Sequence, residues 1–219
     1  MPNWCQLHWL ALAALLTVAC QPDEPRLTDD APLLDVAARL AELVSEDQQD
    51  RVSLSVESMQ DTSYLKALIT ADSARTAELL RMMTSPVWPA LSEFADSTLS
   101  DFLLIVQHSP SSDLRARALS EFQPLALAGR MGPEFALLFD EVRSDQGQPQ
   151  RYGTNFRMEG DRLVPQAIES LAALDSLRGT LGLPPMAEYV RVLSEAYDAE
   201  VTWPPADGGA GVDAIPGAF

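Results

Sequence analysis

Apolar residues recur at steps of three and four along most of this chain, the period of a helix with one buried face. Over residues 33–51, Leu33, Val36, Ala37, Leu40, Leu43 and Val44 keep that step. A second helix is predicted over residues 72–83, capped by Asp72 or Ser73, with Ala77, Leu80 and Met83 as its stripe; Pro86 and Trp88-Pro89 stop it. In the third, Thr98 and Asp101 are spaced as a capping box. Leu99, Phe102, Leu103 and Val106 form one face there, and Leu104 and Ile105 widen it, so this helix is expected at the centre. A fourth helix spans residues 113–129, with a kink or break predicted near Gln123 because Pro124 lacks an N–H. Pro133 opens a fifth that closes before Gly147, and two more cover about residues 171–181 and 185–197.

The period breaks at residues 147–158, GQPQRYGTNFRM. Polar and aromatic side chains crowd between glycines there, and a polar loop on a helical scaffold is where binding or catalytic surfaces are built. Residues 152–158 and 162–166 flank Glu159-Gly160-Asp161, a hairpin turn signal. The expected fold is mainly α, a multi-helix bundle with one small β-hairpin near residues 152–166. The helices belong to one domain over residues 33–202, and residues 203–219 are expected to be disordered.

Charge changes the picture. The chain of 219 residues carries 32 acidic against 15 basic residues, a net charge of −17. That excludes nucleic acid as a partner, since Lys and Arg must neutralise phosphates. It equally excludes charge-driven docking on anionic lipid. Cys5 and Cys20 are the only cysteines and His8 and His108 the only histidines, so the helical region has no thiolate nucleophile and no His- or Cys-based metal site. No cofactor or metal is expected.

Residues 1–19 contain no Asp, Glu, Lys or Arg, and residues 9–19 (WLALAALLTVA) have the length of a signal-peptide apolar run, too short to span a bilayer as a helix. The run ends Leu16-Thr17-Val18-Ala19-Cys20, which resembles a bacterial lipobox. In that resemblance residues 1–19 are cleaved and the Cys20 thiol takes the lipid. Residues 20–32, rich in Pro and Asp, become a tether. Gln21 after the cysteine, rather than Asp, points by analogy to the outer membrane, periplasmic face. The alternative is an ordinary secretory signal and a soluble periplasmic or secreted protein.

Three residues invite chemistry. Asp47 and Arg51 are four apart on one helix face and can pair. His108 falls on the last turn of its helix, because Pro110 disfavours helix at Ser109. It is either a C-terminal cap, favoured in its protonated form by the exposed carbonyls, or a proton-transfer residue.

The polar loop and four shorter motifs, in order, resemble a bacterial domain of unknown function, the family numbered sixty-six twenty-four. The resemblance covers roughly residues 35–193 and rests on Asp47-Gln48 with Arg51, Asp72, Trp88-Pro89, Gln107-His108 and the run Gly147-x-Pro149-Gln150-x-Tyr152-Gly153-Thr154. It implies that Asp47, Gln48, Arg51, Trp88, Gln107, His108, Gln150, Tyr152 and Thr154 converge on one site. It implies no activity. Three departures stand out: Ser109-Pro110 follows the histidine in place of Ala-Asp, Leu137 and Glu141 stand in place of Tyr and Arg around Asp140, and Asn155 replaces a Gln.

Two functions fit. The first is an envelope lipoprotein whose pocket at the Gln-Pro-Gln-Arg-Tyr-Gly-Thr loop binds a small ligand or an envelope protein, with Gln48, Trp88, Gln107, Gln150, Tyr152 and Thr154 as its contacts. The second is a metal-free hydrolase or lyase in which His108 is general acid or base, Asp47 or Gln107 orients it, Arg51 stabilises developing charge and Tyr152 is a second proton donor. Whether the chain is an enzyme stays open at this level.

Overall fold

Asp61 starts a helix that the apolar pattern places too late. Its side chain accepts from the backbone N–H groups of Ser63 and Tyr64, so the second helix begins at Thr62 rather than Asp72. An N-cap of this kind satisfies donors that otherwise have no partner and is worth about 1 kcal/mol. Asp72 is consequently mid-helix and buried, not a cap.

The computed structural model describes residues 31–52, 58, 61–86 and 88–205. The lipobox, residues 20–30 of the expected tether and residues 206–219 lie outside the described residues, while residues 31 and 32, expected in the tether, already belong to the first helix. Seven helices and a small three-stranded sheet make a mainly α fold among the described residues. By its contacts the chain divides after Glu134 into two compact units.

The first unit holds α1 (Ala31–Arg51), α2 (Thr62–Met83), a 3-10 turn (Leu91–Glu93), α3 (Asp96–His108) and α4 (Ser112–Leu127). α3 packs against α1, α2 and α4 and is the central helix, as its broad apolar face predicts. Leu99, Phe102, Leu103 and Val106 are fully buried there, and Leu40 and Leu43 of α1, Leu79 of α2 and Phe122 of α4 meet the same interior. Burying each such side chain contributes about 2 kcal/mol relative to exposing it. Trp88 is an edge piece of this core, its ring 5.5 Å from both Phe94 and Phe102.

Two local expectations are corrected. α3 starts at Asp96 with Ala95 at its cap position and no side-chain cap bond, so the capping box at Thr98 is unused; Thr98 is buried instead. α4 does not break near Gln123 but continues through Pro124 to Leu127, capped at its start by Ser111.

The second unit takes most of α5 (Pro133–Asp145), then β1 (Phe156–Glu159), β2 (Arg162–Pro165), α6 (Leu174–Thr180), α7 (Met186–Tyr197) and β3 (Glu200–Val201). β1 and β2 form the expected hairpin, with Phe156 opposite Pro165 and Glu159 opposite Arg162. β3 adds a parallel strand to β2 that a two-residue segment cannot announce by alternation. The core here is Phe156, Leu163, Ile168, Leu174, Met186, Tyr189 and Leu193. Trp203, at the head of the segment expected to be disordered, packs against that cluster.

Candidate functional site

The residues singled out from sequence fall into two groups, one in each unit. In the first unit α1 supplies Asp47, Asp50 and Arg51 from its last turns. α2 supplies Asp72 and Arg75 at the i,i+3 spacing that puts both on one face, and α3 ends on His108. These side chains form one ionic network. Arg51 donates to Asp47 at 2.6 Å and to both oxygens of Asp72 at 2.9 Å. Arg75 donates to Asp72 at 2.8 Å and to Asp50 at 2.6 Å, and lies 3.6 Å from Asp47. Nδ1 of His108 is 2.8 and 2.9 Å from the two oxygens of Asp47. Gln48 is exposed and reaches the same carboxylate at 3.0 Å.

Asp47 has no exposed surface, and His108 is 8% exposed. Burial of that carboxyl works against its charge. His108, Arg51 and Arg75 outweigh the penalty and hold Asp47 below the ordinary carboxylate range. Burial also pushes His108 below its ordinary value, and the carboxylate beside it offsets this only in part. Both directions fit one state at neutral pH: an ionised Asp47 accepting from the Nδ1–H of a neutral imidazole. Nε2 then carries the basic lone pair. The helix end was expected to favour protonated His108; burial wins, because loss of hydration outweighs a dipole effect worth about 1 kcal/mol.

Gln107 and Trp88 belong to the same unit and reach other groups. Nε2 of Gln107 donates to the carbonyl of Glu134 at 2.6 Å, and Trp88 packs on phenylalanines as described.

The second group surrounds Asp140, buried on α5. Its oxygens accept from the backbone N–H groups of Arg151 (2.7 Å), Tyr152 (3.1 Å) and Thr154 (3.0 Å) and from the Thr154 hydroxyl (2.9 Å). Burial pushes Asp140 up, against those four donors. Gln150 spans the loop: its Oε1 accepts from the Asn155 N–H at 2.7 Å, and its Nε2 donates to the carbonyls of Asn155 and Gln166, each at 3.0 Å. The Tyr152 ring stands edge-on to Phe139 at 5.4 Å. Gly153 takes a φ of +66°, and a Cβ there would touch Leu174 and Met186 at 3.4 Å. The buried polar atoms of Gln150 and Thr154 are thus used in shaping the loop itself.

Asp50, Arg75, Asp140 and Arg178 were not singled out from sequence as candidates. Asp72-x-x-Arg75 was a readable signal once the helix start is moved to Thr62. Asp140 was readable as an acid directly following the apolar run FALLF. Among the described residues, no group of three His, Cys, Asp or Glu side chains is arranged to hold a metal ion.

A family model described as a family of unknown function, DUF6624, matches residues 36–202. No curated protein and no solved structure matches the chain.

Proposed function

Since the chain belongs to DUF6624, a family of unknown function, we propose its activity from geometry: a lipid-anchored protein of the bacterial envelope in which the Asp47–His108 pair is the general acid and base of a hydrolase- or lyase-type reaction. One observation carries this reading. A histidine placed by a helix end has its Nδ1 within 3 Å of both oxygens of a fully buried carboxylate, which fixes the tautomer and orients the imidazole as a base–orienter pair requires. Arg51 is already bonded to Asp47 and Asp72, so it acts as a positioning residue for Asp47 rather than as a donor to substrate. The lipobox-like end at Cys20 supports the anchor and the outer-membrane address.

Ligand binding without turnover is the second reading. Its support is the Tyr152–Phe139–Arg151 stack, with the Arg151 guanidinium 5.1 Å from the Phe139 ring. One experiment separates the two. The full chain is screened by thermal shift against amino acids, peptides, sugars and cell-wall fragments, and each hit is followed for conversion by mass spectrometry. The enzyme reading expects a hit that wild type converts and that His108→Ala binds but leaves intact. A hit that no variant converts and that Tyr152→Phe alone fails to bind overturns it in favour of binding at the loop. Cys20→Ser tests the anchor, which requires that labelled fatty acid incorporation be lost.

A further inference from the structure

A histidine oriented by one aspartate needs no further charges, yet the network behind Asp47 holds several. Asp47, Arg51, Asp72 and Arg75 are each at least nine-tenths buried. They are two carboxylates and two guanidiniums, so their charges cancel. Arg51 is shared: Nη1 donates to Asp47 at 2.6 Å, and Nη2 to both oxygens of Asp72 at 2.9 Å. Oδ1 of Asp72 accepts a second bond from Nη2 of Arg75 at 2.8 Å. Nε of Arg75 stands 3.6 Å from Oδ1 of Asp47, the oxygen that lies 2.8 Å from Nδ1 of His108. A continuous chain of hydrogen bonds therefore runs from α2 through α1 to the histidine on α3.

Two further charges stand at the margin. Asp50, whose side chain is 42% exposed, accepts from Nη1 of Arg75 at 2.6 Å. On α4, Arg115 donates to the carbonyl of Ser109, next to the histidine. Burial is the main reason that the imidazole is neutral; of the charges that reach it, Asp47 and Asp72 favour the imidazolium and Arg51 opposes it. Protonating His108 would add an uncompensated charge to a balanced interior, whereas a neutral ring donating Nδ1–H to Asp47 adds none.

We propose that Asp72 and Arg75 are positioning residues of the acid–base pair: α2 holds Asp47 through Arg51 and Arg75, and the opposite charges of Asp72 and Arg75 cancel, leaving His108 a neutral base. The part played in turnover rests on the reading of Asp47–His108 as general acid and base; the charge balance does not. Loss of Asp72 leaves a guanidinium in surplus and drives a proton off the ring. Loss of Arg75 leaves a carboxylate in surplus and draws one on. Loss of both restores the balance.

The test is an NMR titration of the imidazole in the full chain, which needs no substrate. The chain has two histidines, His8 and His108, so a His8→Gln background shows His108 alone. In that background Asp72→Asn is expected to lower the midpoint by about 1 pH unit and Arg75→Gln to raise it by about as much. The double variant is expected to return to the parent midpoint. If the two residues only pack helices together, each single variant admits water and moves the midpoint up toward the ordinary histidine value, and the double variant moves it furthest. That pattern overturns the proposal, as do unchanged midpoints. Where Asp72→Asn does not fold, Asp50→Asn at the exposed end of the network decides. It leaves Arg75 in surplus in the same sense, so a smaller fall supports the proposal and an unchanged or raised midpoint overturns it. For a compound that wild type converts, the acid limb of kcat/KM is expected to follow the same midpoints. Midpoints that move as expected while the acid limb stays fixed overturn the acid–base reading and leave the charge balance standing.

Discussion

Two aspartates with no exposed surface, one in each unit, are kept in the fold by opposite means. Asp47 is met by full charges, Arg51 at 2.6 Å and Arg75 at 3.6 Å, and by the imidazole of His108. Asp140 is met by three backbone N–H groups and one hydroxyl. Their titration diverges accordingly: Asp47 is held below the ordinary carboxylate value and Asp140 above it. At Asp140 the backbone and hydroxyl donors do not cancel the penalty of burying the charge, whereas at Asp47 the imidazole and the two guanidiniums do. The difference also sorts the two regions by use. Asp140 fixes the course of a loop, and its partners move only if the loop moves. Asp47 fixes the position and proton of a histidine, a side chain that changes charge near neutral pH.

The largest effect separating the regions is expected from truncation. Asp47→Ala leaves Arg51, Arg75 and His108 buried around a lost charge and should cost about 4 kcal/mol. Asp140→Asn keeps shape and one acceptor oxygen and should cost less, about 2–3 kcal/mol. Denaturant unfolding at unchanged slope reads both. If Asp140→Asn proves the costlier, neutral donors anchor their carboxylate more strongly than the ionic network does, and the contrast drawn here fails.

Acid titration should resolve the two with opposite signs. The folded chain binds a proton at His108 less readily than the unfolded chain does. The associated stability is therefore fully present above the ordinary histidine value of about 6.5 and is lost as pH falls below it, toward the folded value. His108→Gln should flatten the loss of stability that sets in as pH falls below about 6.5. The Asp140 shift runs the other way. Its folded carboxyl holds a proton to higher pH than the unfolded one. The stabilisation it contributes is complete below about 3.9 and lost as pH rises through the raised value. Asp140→Asn removes that second slope and leaves the first. Retention of the upper slope in His108→Gln would mean that another group carries it.

The unequal legibility of the two regions has the same physical root. α1 and α3 could be read from period alone, because a buried apolar stripe repeats along the chain, and the hairpin could be read from Glu159-Gly160-Asp161. The start of α2 could not, because Asp61 fixes it by a cap and the first turns carry few buried residues. The Asp47–His108 contact joins residues 61 apart, and periodicity says nothing of such a distance. Only the resemblance placed the two together. Arg178 was invisible for a different reason: a charged residue on a short helix reads as solvated, and nothing in LDSLRGT announces that it is buried against Tyr189.

A smaller effect tests how tightly the loop is specified. Gly153 needs a positive φ, and an added methyl would press on Leu174 and Met186. Gly153→Ala should cost about 1–2 kcal/mol and disturb the Asp140 bonds to residues 152 and 154, while the histidine-dependent slope stays as in wild type. A change in that slope would show that the two regions are energetically coupled.

The smallest effect is the most informative about chemistry. Among the described residues, Gln48 is the one exposed direct partner of Asp47, donating to Oδ2 at 3.0 Å. Its hydrogen bond is exchangeable with water, so Gln48→Ala should cost only about 0.5 kcal/mol. The carboxylate keeps Arg51 and His108, and the acid slope should persist. The same substitution takes away a neutral amide that the resemblance assigns to the site and that lies one residue from Asp47. In the proposed enzyme, Gln48→Ala is therefore expected to raise KM for a converted compound at nearly unchanged kcat, since the base–orienter pair is untouched. A fall in kcat with KM constant would instead make the Gln48 bond part of the device that holds Asp47. Loss of stability well beyond the expected value would place Gln48 with Arg51 as a support of the ionic network.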